Sequence, residues 1–363
     1  MRRISLIALL LLPLFTTTPA TAQETEFQER LDVTEVLLDV LVTDKKGNVI
    51  LGLEPEDFVV EEDGERIEVR SATFYSNRRF VESTDAARRL GIGTDDVPVD
   101  RFFILFFHDA RRNDPRLIGQ QIEAVRRAER WVDTELLPND WVAVVRYDAS
   151  LMVHQDFTTD DEKIFSALKE VAKGKTPSAN WPSRMEEHVG PSLRKNLPQG
   201  KDLNRRSRRI YDGLQTLAEA AGYITGRKNV LFFSMGFGEL NDFGTYIPDA
   251  RYYDGMMEAL NNSNSAVYAI SLYDALTPQN AAVSALENGM SLLASDTGGR
   301  YFFNFANFAT PLRQVVEENN GYYLLSYSAS TPAGTSGYRK VKVSTANPNF
   351  VVKGREGYLY GEG

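Results

Sequence analysis

The chain has 363 residues, 42% of them apolar, with 41 basic against 50 acidic side chains, a formal charge of −9 and no cysteine. Disulfides, thiolate chemistry and a cysteine-linked lipid anchor are thereby excluded, and the acidity disfavours non-specific binding to nucleic acid or anionic lipid. The apolar share is that of a globular protein, and the length suits two domains or a large one with a smaller companion.

Residues 1–22 have the three-part anatomy of a secretory signal peptide. Arg2 and Arg3 lead a short apolar stretch that contains Pro13, and Ala20-Thr21-Ala22 offers a cut before Gln23. A membrane span needs roughly 20 apolar residues, more than this stretch supplies. The expectation is export, to the periplasm or beyond the cell. Taking two arginines from the 41 basic residues leaves 39 against 50 acids, a charge of −11.

Residues 23–76 read as strands. Thr34, Val36, Leu38, Val40 and Val42 share one face of an extended segment, and Asp57–Glu62 leads through the hairpin signal Asp63-Gly64 into a strand over Arg66–Tyr75. Residues 77–99 are polar, irregular and read as a linker. From 100 to 320 strands and helices alternate. Strands are predicted at Phe102–Phe107, Trp141–Tyr147, Val230–Phe233 and Ala266–Ser271, with a short antiparallel piece near Met152–His154. Helices are predicted near Pro115–Leu136, Thr159–Ala172, Asn204–Ile224, Asp249–Asn262 and Ala281–Ser295. Such alternation makes right-handed crossovers and a doubly wound, largely parallel α/β sheet. The stretch 174–203, with four prolines, reads as a surface insertion. Residues 321–363 return to strands at Gly321–Ser328, Tyr338–Ser344, Phe350–Val352 and Gly357–Tyr360. Pairing of the two terminal strand sets into one β-sandwich, with the α/β domain inserted between its halves, is the economical arrangement. Two separate β appendages are the alternative.

The segment Arg101–Asn113 carries most functional information. Phe102 to Phe107 is apolar on both faces, as a central strand covered by helices must be, and it ends abruptly in His108 and Asp109. In open α/β sheets, ligands bind at the carboxyl ends of the strands, where Asp109 falls.

Several segments in order resemble the VWFA-related family of exported bacterial proteins, built on a von Willebrand factor A-type domain. They are Asp109-Ala110-Arg111-Arg112-Asn113 after its strand, Asp156–Asp160 opening a helix, Gly226–Gly236, Asp296–Arg300 and Gly321–Tyr327. The N-terminal Leu38–Gly47 and Leu53–Phe58 belong to the same pattern. The resemblance covers nearly the whole chain after residue 22. It implies an A-type fold and a role in protein binding or assembly rather than catalysis. It also implies a metal-ion-dependent adhesion site, in which an Asp, two Ser, a Thr and a second Asp hold a divalent cation whose open position takes a partner's carboxylate. Carried over residue by residue, the first Asp is Asp109, the Ser positions hold Arg111 and Asn113, and the Thr is Thr158 or Thr159. The second Asp is replaced in Ser234-Met235-Gly236 by a thioether, a poor ligand for a hard cation. No metal is therefore expected; were Mg²⁺ or Mn²⁺ bound, Asp109, Asn113 and Thr159 would hold it. Two readings of the loop stay open. Either Asp109 simply pairs with a nearby arginine, or Arg111 or Arg112 stands in for the ion and offers planar donors to a partner carboxylate.

Other constellations are weak. His108, His154 and His188 are scattered and form no zinc motif, no phosphate loop or dinucleotide fingerprint occurs, and Ser234 lacks the nucleophile-elbow sequence. The run Arg205-Arg206-Ser207-Arg208-Arg209 reads as a solvated helix start or a patch for an acidic surface. Phe237, Phe243 and Tyr246 are the aromatics to look for on an exposed rim. The expected function is non-enzymatic binding of a protein or cell-envelope component, with no nucleic-acid partner and no cofactor. The binding rim would comprise Asp109, Arg111, Asn113, Thr158, Thr159, Ser234 and Phe237. The rival expectations are a hydrolase built on His108, Asp109 and Ser234, and a purely structural envelope protein.

Overall fold

The computed structural model describes residues 31–45, 47–76, 100–177, 188–240, 246–247, 249–273, 281–319, 321–332 and 334–361. The expected signal peptide and linker, and the aromatics Phe243 and Tyr246 apart from the latter's backbone, lie outside the described residues, as do the side chains of Arg112 and Asn113. No helix of the described residues is long and apolar enough to cross a membrane.

In chain order the N-terminal strands are β1 (Leu31–Thr43), β2 (Phe58–Glu62), β3 (Glu65–Ile67) and β4 (Ser71–Ser76). Then follow β5 (Arg101–His108), α1 (Ala110–Asn113), α2 (Ile118–Glu135), β6 (Asp140–Tyr147), β7 (Leu151–Thr158) and α3 (Asp161–Lys173). Next come α4 (Lys201–Arg206), α5 (Ile210–Ala221), β8 (Lys228–Ser234), β9 (Glu239–Leu240), β10 (Tyr246–Ile247), α6 (Ala250–Asn262) and β11 (Ser265–Ser271). The chain closes with α7 (Ala281–Asp296), β12 (Arg300–Phe302), α8 (Ala309–Glu318), β13 (Gly321–Pro332), β14 (Gly337–Thr345), β15 (Val351–Gly354) and β16 (Gly357–Tyr360).

The α/β part is a six-stranded sheet in the order β12-β11-β8-β5-β6-β7, parallel except for β7, which runs antiparallel to β6. Its two faces are both buried, and β5 shows why the sequence alternates without polar residues. Phe102, Ile104 and Phe106 pack into one apolar cluster with α5 and α6, while Phe103, Leu105 and Phe107 pack into another with α2, α3 and α8. Phe107 stacks on Phe233 of β8 at 4.8 Å between centroids. Truncating a phenylalanine buried in this way costs about 3–5 kcal/mol.

The strands outside this unit form two further sheets, β15-β1-β13-β4 and β16-β14-β2-β3, and each mixes strands from the two ends of the chain. One apolar cluster, including Val36, Leu38 and Val40 with Phe58, Tyr323 and Leu325, lies between them. The segment expected as one strand over Arg66–Tyr75 is two, because β3 pairs with β2 whereas β4 pairs with β13 in the other sheet. The region of β15 and β16 joins these sheets to the α/β unit. Lys353 Nζ meets Glu318 at 2.8 Å, the Glu356 N–H donates to Asn261 Oδ1 at 3.1 Å, and Asn264 donates to the Asp39 carboxylate.

Three other differences from the sequence reading have local causes. The helix expected over Asn204–Ile224 is broken at Ser207, whose buried hydroxyl donates to Leu203 O (2.7 Å) and accepts from the Leu151 N–H (2.9 Å). The stretch 188–200 is tied down rather than loose on the surface. Buried Asp156 accepts from Ser192 Oγ at 2.6 Å, Leu193 N at 2.8 Å and Arg194 N at 3.1 Å, and Leu193 is itself buried. Finally, Arg300–Phe302 adds an edge strand, and α8 covers the sheet with Leu312 and Val315.

Candidate functional site

The carboxyl ends of β5, β6, β8 and β11 bring His108, Tyr147, Ser234 and Ser271 to one rim, since His108 is level with Tyr147 and Ser234 with Ser271. The Asp109 N–H donates to Tyr147 O at 2.9 Å, which carries the strand pairing one residue past β5 before the chain turns into α1. A cavity of about 470 Å³ opens there, lined by His108, Tyr147, Arg208, Met235, Phe237 and Tyr273 among others.

Asp109 is fully buried, and its carboxylate is consumed. It caps α1 by accepting from the Arg111 N–H at 2.8 Å, takes Arg111 Nη1 at 2.8 Å, and takes Arg146 Nη1 at 2.5 Å. Burial alone would raise its pKa, but the Arg111 backbone N–H and the two guanidiniums more than offset this and hold it below the usual carboxylate range. Arg146 is as buried as its partner, with 2% of its side chain exposed. It also donates to Lys175 O at 3.1 Å and approaches Met152 Sδ at 3.4 Å and Asp148 at 3.7 Å.

Arg111 does not reach outward. Its Nη2 donates to Ala172 O in the last turn of α3 at 2.5 Å, where a cation also meets the negative end of the helix. Gly174, at φ +67°, makes this possible, because a Cβ there would lie 2.7 Å from Arg111 Nε. The reading in which Arg111 offers donors to a partner is therefore corrected: its guanidinium binds this chain's own carboxylate and helix end. Asn113 is the last residue of α1, and its side chain lies outside the described residues.

The threonines are not at this rim. Thr158 pairs with Val142, near the amino end of β5, because β7 runs antiparallel and its carboxyl end points the opposite way. Thr158 Oγ1 accepts from the Asp160 N–H at 3.1 Å, and Asp160 caps α3 through the Glu162 and Lys163 N–H groups at 3.0 and 3.3 Å. Exposed Thr159 lies between them. Both belong to a helix start, not to a ligand set with Asp109. Phe237 does reach the rim, but it is buried against Tyr211 and Phe232, at 5.3 and 6.1 Å between centroids, and presents no aromatic anchor to solvent.

His108 and Ser234 are in contact, His108 Nδ1 to Ser234 Oγ being 2.9 Å. The hydroxyl also accepts from the Gly236 N–H at 3.1 Å and lies 3.5 Å from Gly236 O. Ser234 is fully buried, and burial lowers the His108 pKa to about 4 despite the nearby Asp109 charge. Neutral His108 is thus a hydrogen-bonding partner of the β8 strand end. The third member needed for nucleophilic catalysis is occupied elsewhere, since the Asp109 carboxylate faces Arg111 and Arg146.

A divalent cation does not fit these residues. Its position beside Asp109 is filled by guanidinium charge, and the residue following Ser234 is the buried thioether of Met235. Among the described residues no three His, Asp or Glu side chains converge. The partner that sequence reasoning missed is Arg146. Its signal was present, as one charged residue inside the apolar run of β6, where burial demands a counter-charge. Arg208 and Arg209, at the α4–α5 turn, are exposed cations of the cavity wall, Arg208 lying 99 residues from Asp109 in sequence and brought there by the fold.

No family profile and no curated protein matches the sequence. Among solved structures the chain is similar to proximal thread matrix protein 1 of the mussel byssus, at 14% identity and a TM-score of 0.36 over 61% of this chain and 48% of that one. The chain thus spans about half the length of that protein. It is also similar to BatB of Bacteroides thetaiotaomicron, at 15% identity and a TM-score of 0.35 over 60% of this chain and 96% of that one. A third is the vWF domain of the type V pili tip protein Mfa5 of Porphyromonas gingivalis, at 12% identity and a TM-score of 0.37 over 61% and 95%. At these identities and TM-scores the likeness transfers no family, ligand or partner.

Proposed function

We propose that the chain is an exported, non-enzymatic binding module. Its A-type domain (100–320) is inserted, after a linker (77–99), into a β-sandwich made of residues 23–76 and 321–363. It would engage a protein or cell-envelope component at the rim around His108, Tyr147, Arg208 and Met235, without a divalent cation. The observation that carries this reading is the saturation of Asp109: two arginines of the same chain occupy the carboxylate that a metal would need. The rim is then preorganised by covalent charge, and its exposed recognition element is the arginine-bearing turn at Arg208 rather than the Asp109 loop. A guanidinium suits planar bidentate acceptors such as carboxylates.

Calorimetric titration of the protein with Mg²⁺ and with Mn²⁺ tests the metal-free part. No saturable heat is expected, with or without Asp109→Ala. Micromolar binding that Asp109→Ala abolishes would restore a metal-dependent site. The binding part is tested by a photo-crosslinking residue in place of Ala149, an exposed residue of the same cavity wall, in producing cells. One discrete adduct, lost in Arg208→Ala, is expected, and its absence would leave the rim without a partner.

The hydrolase reading has one observation in its favour, the 2.9 Å His108–Ser234 contact. It requires Ser234 to react with a fluorophosphonate probe, and a buried hydroxyl with no free carboxylate behind its imidazole is expected not to. Labelling confined to Ser234 would reverse the reading.

A further inference from the structure

Among the described residues, the edge of β1 is unfinished. β1 pairs with β13 along its length from Leu31 to Val40, but with β15 only over Val40–Thr43, where Gly354 is level with Val40. Among the described residues, no strand pairs with residues 31–39 on that second side. The alternation of antiparallel hydrogen bonds tells which groups face it. Leu37 is level with Ser326, whose carbonyl accepts from the Arg70 N–H on the β4 side, so this pair does not bond across β1 and β13. In agreement, the Leu37 carbonyl points the other way and accepts from Arg355 Nη2 at 2.6 Å. Two residues earlier and four residues earlier the same phase holds. Glu35 and Val33 therefore aim both N–H and C=O at the open side, and Leu37 aims its N–H there.

This edge borders a cavity of about 890 Å³ that runs between β1 and β16, the outer strand of the second sheet. Members of the apolar core line it, among them Val36, Ala329 and Tyr358, so the layer between the two sheets opens here. Leu37 and Leu359, one on each strand, are 50% exposed. Arg355 also lines the cavity, and its Nε is buried with no hydrogen-bond partner among the described residues. A buried donor left without an acceptor is destabilising, and an open strand edge is a template for another chain.

From these observations we infer that the groove between β1 and β16 takes an extended segment of a partner protein by strand addition. The segment runs antiparallel to β1 in line with β15, pairs with Glu35 and Val33, and sends apolar side chains into the groove. A carboxylate near its start meets the Arg355 guanidinium, and two residues on a cation meets Glu35. Backbone pairing supplies affinity in this mode, and alternate side chains supply selectivity. A surface of this kind is separate from the α/β rim and independent of it.

The probe is a labelled heptapeptide, acetyl-Thr-Val-Glu-Val-Lys-Val-Thr-amide, followed by fluorescence anisotropy against the full protein. Saturable binding is expected. N-methylation of one alternate set of its amides should abolish binding while the other set is tolerated, because only one set faces β1. Exchanging Glu for Gln in the peptide should weaken binding to the unaltered protein but not to Arg355→Gln.

Glu35→Pro removes one edge-facing N–H and places a ring where the peptide pairs, with an expected loss of at least about tenfold. Proline is tolerated on an edge strand when its missing N–H faces outward, so this variant should fold with an unchanged far-UV spectrum and melting temperature. Failure to bind, or binding indifferent to both methylation patterns, would overturn the proposal. Unfolding of Glu35→Pro would overturn the edge geometry beneath it. A concentration-dependent dimer that Glu35→Pro dissolves, seen by sedimentation velocity, would make the occupant a second copy of this chain and overturn the partner strand.

Discussion

Replacing Arg146 with methionine keeps most of the side-chain volume and removes the charge that neutralises Asp109. Both groups are out of water, with 2% and 0% of their side chains exposed, so the deletion leaves a carboxylate in the interior. Breaking a buried pair from one side costs about 3–5 kcal/mol. Arg111 remains on the same carboxylate, but its side chain is 26% exposed and already shared with Ala172 O, so it compensates only in part. The expected loss is about 3 kcal/mol in urea denaturation, or a fall in Tm of roughly 6–12 °C for a unit of this size. Because the pKa of Asp109 is held down in the folded protein, its ionisation stabilises the fold above its unfolded pKa, and that contribution is lost as pH falls through the lower folded value. Arg146→Met should remove this acid-side loss, so the variant and the parent converge in stability towards low pH. The double variant Asp109→Asn/Arg146→Met should recover at least about 1 kcal/mol relative to the sum of the single changes. A single-variant cost below about 1 kcal/mol, or strict additivity, would refute the claim that a buried ion pair organises this rim.

Three further changes have defined outcomes. His108 is neutral in the fold, with its pKa pushed to about 4 by burial. The unfolded chain therefore takes up its proton first, and stability falls as pH drops from about 6.5 towards 4, at about 1.4 kcal/mol per pH unit for one proton. His108→Asn should flatten that slope by one proton in pH-dependent denaturation, and an unchanged slope would mean the imidazole titrates freely. Gly174→Ala sets a Cβ against Arg111 Nε in a left-handed conformation and should cost about 1–3 kcal/mol by the same assay, more than an ordinary surface change. Asp156→Asn turns an N–H₂ group either on the donors of Ser192 and Arg194, which share Oδ2, or on those of Leu193 and Phe157, which share Oδ1. It should cost about 2–3 kcal/mol and open residues 188–200 to limited proteolysis, and resistance equal to that of the parent would show that the segment is held elsewhere.

The strands and most helices of the α/β unit were legible because both faces of β5, β6, β8 and β11 are buried, and such strands read as continuous apolar runs. The short edge strand Arg300–Phe302 and the helix after it were hidden in an aromatic stretch that had no clear period. The two threonines illustrate a different failure. Only Asp148-Ala149-Ser150 separates β6 from β7, a connection too short for a parallel crossover, so β7 must reverse and carry Thr158 to the far end of the sheet. Matching residues to a motif without following the direction of the chain placed them at the wrong rim. Arg146 was legible in principle as a charge within an apolar strand, yet the identity of its partner depends on two neighbouring strands being level, which spacing along the chain does not reveal.

A guanidinium in place of a metal, as proposed above, has physical consequences for how the rim can work. A divalent cation is a ligand in its own right: its occupancy follows its concentration, and it can leave an open coordination position for a partner's carboxylate. Arg146 is tethered, always charged, and turned inward, with Nη1 on Asp109 and Nη2 on Lys175 O. It fixes the loop in one arrangement, but it presents nothing to a visitor. Buried ion pairs add little net stability over apolar packing, so what this one supplies is a defined geometry. On that proposal recognition passes to groups that remain exposed around the cavity, and the α4–α5 turn with Arg208 and Arg209 carries the cations among them. Binding at this rim should therefore survive chelators and weaken with added salt, since its electrostatic part is a surface guanidinium screened over about 8–10 Å rather than a buried ion. Co-precipitation of the same partner without crosslinking, in EDTA and separately across a salt series, separates the two cases: loss in EDTA would return the site to metal chemistry, whereas loss in salt alone assigns it to the arginine turn.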